Sequence, residues 1–144
     1  MKRKTLSILA LICLAMGIPL WSGCGGPEVA PVTGQIKLEG EPIPGALVAF
    51  YPLDAGPGRR VISAVTDEEG RFQLTFRRSG DGAPPGRYAV TAVWREPQED
   101  GDEVLRTGPN MLPARYAAPE TSGLTVTISS GANDLEPFEL TEEP

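Results

Sequence analysis

Apolar and polar residues alternate along several short runs of this chain, as they do in β-strands with one buried face. The clearest run follows a polar turn, Asp67–Gly70. An apolar run, Val61–Val65, comes before that turn. Large apolar residues fall on one side of the clearest run and polar residues on the other: Phe72, Leu74 and Phe76 against Arg71, Gln73, Thr75 and Arg77. The pattern predicts a β-hairpin with one solvated face, whose apolar face needs a second sheet to cover it.

The same criteria predict seven strands separated by Gly/Pro-rich turns, with no helical period after residue 23. The predicted strands are Val32–Leu38, Ala46–Tyr51, Val61–Val65, Arg71–Phe76, Arg87–Trp94, Leu124–Ile128 and Leu135–Leu140. The second strand is apolar on both faces, which predicts a position inside a sheet or under a loop. Pro137 cannot donate to a ladder and predicts an edge or a bulge. The fold class is therefore predicted as all-β, a seven-stranded antiparallel β-sandwich.

The first 23 residues have the organisation of an export signal. A basic start, Met1–Lys4, is followed by an apolar run, Leu6–Leu20, and then by small residues before Cys24. The apolar run is shorter than the roughly 20 residues of a membrane-spanning helix. This organisation predicts a secretory signal peptide.

Ser22-Gly23-Cys24 resembles the lipobox of bacterial lipoproteins, although Trp21 stands where leucine is usual. The resemblance implies cleavage before Cys24, acylation of that cysteine and a lipid anchor in the membrane. Residues 1–23 would then be the signal peptide, 24–31 a tether and 32–140 the folded domain. The expected location is the cell envelope outside the cytoplasm, with the outer membrane favoured because Gly25 is not an acidic retention signal. The alternative is an ordinary secreted protein with one odd cysteine.

Charge and composition exclude several function classes. Loss of Lys2, Arg3 and Lys4 with the signal lowers the formal net charge from −6 to −9, so nucleic acid is not an expected partner. The chain has no histidine, which excludes Ser-His-Asp catalysis and imidazole-ligated metals. Lys37 is the one lysine left after the signal and is expected on a solvated strand face. We therefore expect no enzyme activity, no cofactor and no metal, although paired carboxylates leave glycoside hydrolysis as a remote alternative.

Four fragments of the chain occur together in the order and spacing of a known family. They are Val32-Thr33-Gly34, Pro44-Gly45-Ala46, Thr66-Asp67 with Gly70-Arg71-Phe72, and Pro85-Gly86-Arg87-Tyr88. Together they resemble the carboxypeptidase regulatory-like, transthyretin-like domains, in a form carried by small bacterial lipoproteins. The resemblance implies a prealbumin-like sandwich of seven strands over 32–140. Related transthyretin-like hydrolases use histidines that this chain lacks.

The connection Arg95–Gly123, 29 residues long, is the main candidate for a ligand site, because long connections in compact domains are often functional. Asp100, Asp102 and Glu103 near its start could supply oxygen ligands to calcium, or could simply form a solvated acidic tip. Leu112 and Tyr116 are expected to fold back as plugs over an open end of the sandwich.

The arginines around the predicted hairpin are a second candidate site. Arg71, Arg77 and Arg78 lie on or after its polar face and Arg59-Arg60 precede it, so they form either a basic spot for acidic glycans or a plain wet face. The function expected from all these features is a lipid-anchored, non-enzymatic envelope module with a structural or protein-interaction role. The alternative is a glycan or small-ligand binding module that uses the 95–123 connection.

Overall fold

The computed structural model describes residues 28–54, 56, 59–100 and 103–143. Its regular structure there is all β, apart from one short 3-10 helix, Ala114–Ala117. The strands are β1 Val32–Leu38, β2 Glu41–Pro42, β3 Leu47–Pro52, β4 Ile62–Val65, β5 Arg71–Gln73, β6 Gly86–Val93, β7 Gln98–Asp100, β8 Glu103–Leu105, β9 Leu124–Ile128, β10 Asn133–Asp134 and β11 Phe138–Leu140. The all-β prediction is confirmed.

One sheet has four antiparallel strands in the order β4-β3-β6-β9. Alternation along the predicted strand Arg87–Trp94 places Tyr88, Val90, Ala92 and Trp94 on one face. The first three are buried in the core, and Trp94 packs against it half-buried. β3 lies inside this sheet, between β4 and β6, as its apolar character on both faces predicted.

The second sheet is mixed and is built on β1. β1 pairs antiparallel with β5 and β2 but parallel with β10 and β11, so the prediction of a wholly antiparallel sandwich is wrong for the C-terminal strands. The reason is that the turn at 129–132 carries the chain out of the four-stranded sheet and delivers it beside β1 in the same direction. Alternation of apolar residues fixes which face a strand buries, and carries no information about direction.

The predicted hairpin is also wrong, because its two strands belong to different sheets. β4 pairs with β3, whereas β5 pairs with β1. The Thr66 hydroxyl explains the crossing: it donates to the carbonyl of Ile43 at 2.6 Å and accepts from the amide of Ala46 at 2.8 Å. Thr66 thereby bonds the turn after β4 to the connection between β2 and β3, which also passes between the sheets. The chain therefore leaves the four-stranded sheet after β4 and enters the mixed sheet at β5. The predicted solvated face of β5 is confirmed, with Arg71 and Gln73 exposed.

The two sheets face each other across one core. Phe50 of β3 meets Phe72 of β5 at a ring-centroid distance of 5.8 Å, and Phe72 stacks on Phe138 of β11 at 6.4 Å. Gly34 of β1 makes room for this contact, since a Cβ atom there would lie 2.5 Å from Cζ of Phe72. Burial of these aromatic rings stabilises the contact between the two sheets.

The predicted number of seven strands is not what the structure shows. Of the predicted last strand, Leu135–Leu140, the structure has Phe138–Leu140 as β11, and β10 lies just before its predicted start. In the described structure β10 and β11 pair with β1 alone, so the edge predicted at Pro137 is confirmed. Strand β2 and the two-stranded ladder β7–β8 lie in connections for which no strand was predicted.

Candidate functional site

The two ends of the sandwich carry different candidate sites. The described chain begins at Glu28, and Ala30 bonds to Ala83 beside the start of β1, so we call this the tether end. The turn Asp67–Gly70 and the connection 95–123 lie at the other end of the strands, which we call the distal end. An eight-residue strand such as β6 separates the ends by roughly 26 Å.

The proposed lipid-attachment residue, Cys24, and the signal peptide 1–23 lie outside the described residues. Residues 28–31 are the described part of the predicted tether, and Ala30 is already buried in the core. In the described part of the chain, no helix has the length and hydrophobicity needed to span a bilayer.

The acidic part of the 95–123 connection forms the ladder β7–β8, in which Asp100 is paired with Glu103. Asp102, the third candidate calcium ligand, lies outside the described residues. Within the ranges that the structure describes, no three His, Cys, Asp or Glu side chains are grouped so that they could hold a metal ion.

The second part of the connection closes the distal end, as predicted. Leu112 and Tyr116 are 4% and 5% exposed and belong to the core. The Tyr116 hydroxyl accepts from the amide of Thr141 at 3.0 Å, and the Arg115 guanidinium donates to that hydroxyl and to the Thr141 carbonyl at 2.9 Å each. Desolvation favours the neutral phenol, but these donors outweigh it and lower the pKa of Tyr116 below its ordinary value. These residues are therefore structural and are not available to a ligand.

At the tether end, two arginines lie over the ring of Phe76. The guanidinium carbon of Arg60 is 4.3 Å from the ring centroid, and that of Arg77 is 5.3 Å from it. Phe76 itself is 6% exposed, and both cations lie against its ring. Among the described residues, neither guanidinium makes a hydrogen bond or an ion pair. Their donors are therefore available to an anion.

The turn that carries Arg77 and Arg78 is fixed by Asp81. Its carboxylate accepts from the amide of Phe76 at 2.7 Å and from the amides of Arg77 and Arg78 at 3.0 Å each. Desolvation raises the pKa of Asp81, but these three donors outweigh it and the pKa falls below its ordinary value. The carboxylate is thus occupied by backbone groups, and the two arginine side chains remain open.

Charge is distributed unevenly between the ends. Among the described residues, five arginines and four acidic residues lie at the tether end: Arg59, Arg60, Arg77, Arg78, Arg87, Glu28, Asp54, Asp81 and Asp134. Described acidic residues at the distal end outnumber cations: Glu39, Glu41, Asp67, Glu68, Glu69, Glu96, Glu120, Glu142 and Glu143 against Arg95, Arg106 and Arg115. The domain therefore has a positive tether end and a negative distal end.

A polar groove of about 850 Å³ crosses the outer face of the mixed sheet. It lies between the distal turn and the interrupted C-terminal strand, and its lining offers amides and charges of both signs: Thr33, Gln35, Asp67, Arg71, Gln73, Asp134 and Glu136. Thr33 donates to the Asp134 carboxylate at 3.1 Å, and the Gln35 amide donates to the carbonyl of Glu69 at 2.7 Å. Such a lining suits a polar ligand with many hydroxyl groups.

An apolar row crosses the outer face of the four-stranded sheet at the distal end. Val65 and Val93 flank Leu47 in the ladder, and Leu47 and Val65 are 45% and 62% exposed. The prediction that both faces of β3 would be covered therefore fails at Leu47, because no described loop lies over it.

No family model and no curated protein matches the chain. Among solved structures it is similar to a 9R-lipoxygenase from Cyanothece PCC8801, at 14% identity and a TM-score of 0.43. The match covers 78% of this chain and 16% of the lipoxygenase chain. A protein from Pseudomonas aeruginosa described as a "putative carbohydrate binding protein" is similar at 16% identity and a TM-score of 0.43, over 80% of this chain and 89% of that one. At these values neither similarity bears on the activity of this chain.

The sequence identified the arginines as a candidate site but did not show which of them lie together in the fold. The structure brings Arg60 and Arg77 together on Phe76 and places Arg71 apart from them, on the lining of the polar groove. The role of Asp81 was missed, although an aspartate next to glycine after a polar run is a recognisable turn signal.

Proposed function

We propose that this protein is a lipid-anchored, non-enzymatic module of the cell envelope that contacts another envelope protein through its distal end. Cys24 is the lipid attachment residue, 1–23 the signal peptide and 24–31 the tether. The domain 32–140 belongs to the carboxypeptidase regulatory-like, transthyretin-like group, with a prealbumin-like sandwich as its principal strands. The proposed location is outside the cytoplasm, with the outer membrane favoured. It needs no cofactor and no metal.

One observation carries this proposal: the chain starts its fold at one end, and the exposed apolar row lies at the other. Ala30 is the first buried residue in the described part of the chain, and Val65, Leu47 and Val93 are separated from it by about the length of a strand. A domain held by residues 24–31 would present that row away from the bilayer. Contiguous apolar side chains on a solvent-exposed face are typical of protein contact surfaces.

The anchor is tested by changing each of the two cysteines in turn. Cys24→Ser is expected to move the protein from the membrane fraction to the soluble envelope fraction and to abolish labelling by a clickable palmitate analogue. Cys13→Ser is the matched control, because Cys13 leaves with the signal and should change neither result. Unchanged membrane partitioning of Cys24→Ser would refute the anchor.

The contact surface is tested by a double variant, Leu47→Gln with Val65→Thr, in the anchored protein. Both side chains are exposed, so the thermal midpoint should stay within a few degrees of wild type while in-cell cross-linking to the partner falls. Thr125→Gln with Thr127→Gln, on β9 of the same sheet, is the control. Equal cross-linking by both double variants would rule out the apolar row as the contact.

A second candidate function is binding of a glycan or another small polar ligand, and the polar groove favours it. Arg71 and Gln73 project from β5 into the groove and are both exposed. The groove is a second location for such a ligand beside the 95–123 connection, in which Leu112 and Tyr116 belong to the core. Arg71→Ala with Gln73→Ala should weaken binding to an array of envelope oligosaccharides at least tenfold. Arg95→Ala with Gln98→Ala is the control.

A further inference from the structure

We propose that Arg60, Arg77 and Arg78 form a docking surface for the phosphate groups of an anionic phospholipid bilayer. The inference rests on the proposed lipid anchor and adds to it a second, electrostatic contact. In this arrangement the acyl chains hold the protein on the membrane, and the arginines hold the tether end of the domain against the headgroups. The distal end is then directed outward.

The first support is the availability of the three guanidinium groups. Among the described residues, no hydrogen bond or ion pair engages the side chain of Arg60, Arg77 or Arg78. Phe76 holds the first two about 4–5 Å above its ring. Because both guanidinium groups lie against one ring, they are close enough to each other to contact neighbouring phosphate groups.

The second support is that the neighbouring acidic groups are engaged. Asp81 accepts three backbone amides, Asp54 is paired with Arg87 at 3.0 Å, and Asp134 accepts from Thr33. Glu28 is exposed and is the one nearby acid for which the described residues show no such contact. Among the described residues, none of these acids forms an ion pair with Arg60, Arg77 or Arg78.

The third support is position. β5 runs antiparallel to β1, so Phe76 and the residues after it lie beside Ala30, where the chain comes in from the tether. Gly82 is pressed against Ala30, and its amide donates to the carbonyl of Leu74 at 3.0 Å, which holds the arginine turn next to residues 28–31. Because Ala30 is already buried in the core, the segment from Cys24 to Ala30 can span at most roughly 20 Å when extended, so the arginines stay within reach of the headgroups.

The charge distribution favours an anionic bilayer over a small soluble anion as the partner of the arginines. With acids dominant at the distal end, an anionic membrane attracts one end of the domain and repels the other. Each arginine close to such a surface strengthens the contact roughly fivefold, so the three together give about 100-fold. A soluble phosphate would gain from the guanidinium groups alone and would not orient the domain.

The test uses the mature acylated protein, reconstituted into vesicles of phosphatidylcholine alone or with about one-third phosphatidylglycerol. Hydrogen exchange is followed at the arginine turn, 76–82, and at the distal turn, 67–70. Anionic vesicles should slow exchange at 76–82 several-fold relative to neutral vesicles and leave 67–70 unchanged. A variant with Arg60→Gln, Arg77→Gln and Arg78→Gln should lose the difference, whereas Arg71→Gln with Arg95→Gln and Arg106→Gln should keep it.

Equal exchange at 76–82 in both kinds of vesicle would overturn the proposal. So would slowing by millimolar inorganic phosphate without vesicles to the same extent, because the site would then be one for a soluble anion. If mass spectrometry finds Cys24 without acyl chains, the anchor fails separately. In that case flotation of the same mature chain with the same vesicles decides the docking surface, through the difference between the two arginine triplets.

Discussion

Each end of the sandwich is closed by an aromatic ring with an arginine over it, but the arginines do different work. At the distal end Arg115 lies 4.6 Å from the ring centroid of Tyr116 and donates to the tyrosine hydroxyl and to Thr141. At the tether end Arg60 and Arg77 lie on Phe76, which has no polar atom, and the described residues show no hydrogen bond from either guanidinium. The same packing motif is therefore structural at one end and open to a partner at the other.

The largest effect on stability is expected from removing either ring. Tyr116→Ala should lower the free energy of unfolding by about 4 kcal/mol, because it leaves a cavity at the distal end and strands the donors of Arg115 and Thr141. Phe76→Ala should cost about 3 kcal/mol through the cavity alone. Urea unfolding of both variants measures the difference. Equal losses would mean that the hydrogen bonds at Tyr116 add nothing.

The next largest effect on stability is expected from replacing one glycine at each end of the sandwich. Gly70 at the distal end has a φ of +70°, and a Cβ atom there would lie 2.6 Å from the carbonyl oxygen of Ile36. Gly131 at the tether end has a φ of +92° and no heavy atom within 4 Å of that position. Gly70→Ala should therefore cost about 3 kcal/mol and Gly131→Ala about 1 kcal/mol, the cost of the left-handed conformation alone. Similar losses at the two sites would show that the crossing between sheets is not sterically tight.

Replacing the arginines themselves should separate the two roles. Arg115→Gln should lower the unfolding free energy by about 2 kcal/mol, because several hydrogen bonds are lost with the charge. Arg60→Gln should cost about 0.5 kcal/mol, the value of an exposed contact between a cation and a ring. Thermal unfolding of the two single variants gives the ranking. A cost at Arg60 as large as that at Arg115 would assign Arg60 to the fold instead of to a partner.

The smallest expected effect is a difference in acid sensitivity. The pKa of Asp81 is lower in the folded protein than its ordinary value of 3.8, so the ionised carboxylate stabilises the fold above that pH. This stabilisation is lost as the pH falls below about 3.8 toward the folded-state pKa. Asp81→Asn should therefore be less stable than wild type at neutral pH and should lose less stability on acidification. Parallel urea curves for the two proteins at every pH would contradict the role given to Asp81.

The sequence predicted local structure better than it predicted connections. Alternation located β1 and β9 with their correct ends, and it correctly gave the buried faces of β5 and β6. It could not show that the turn after β4 crosses between sheets, because that depends on hydrogen bonds of Thr66 to residues about twenty positions away. The parallel pairing of β1 with the C-terminal strands was also missed, because alternation carries no information about strand direction.

In the candidate sites, too, some features could be predicted from the sequence and others depend on the fold. Leu112 and Tyr116 were predicted as plugs because apolar residues in a long connection need a core to cover them, and both are buried. The grouping of Arg60 with Arg77 depends on a fold that brings residue 60 next to residue 76, and no local pattern contains it. The polar groove likewise combines three separate segments of the chain.

The most direct test of an oriented, anchored domain is the rate at which a membrane-impermeant maleimide labels single introduced cysteines. With Cys24 acylated, Glu68→Cys at the distal turn and Ser79→Cys in the arginine turn each supply one free thiol. On anionic vesicles, residue 68 should label as fast as in detergent, while residue 79 should label several-fold more slowly. Equal and fast labelling at both positions on the vesicles would contradict the orientation.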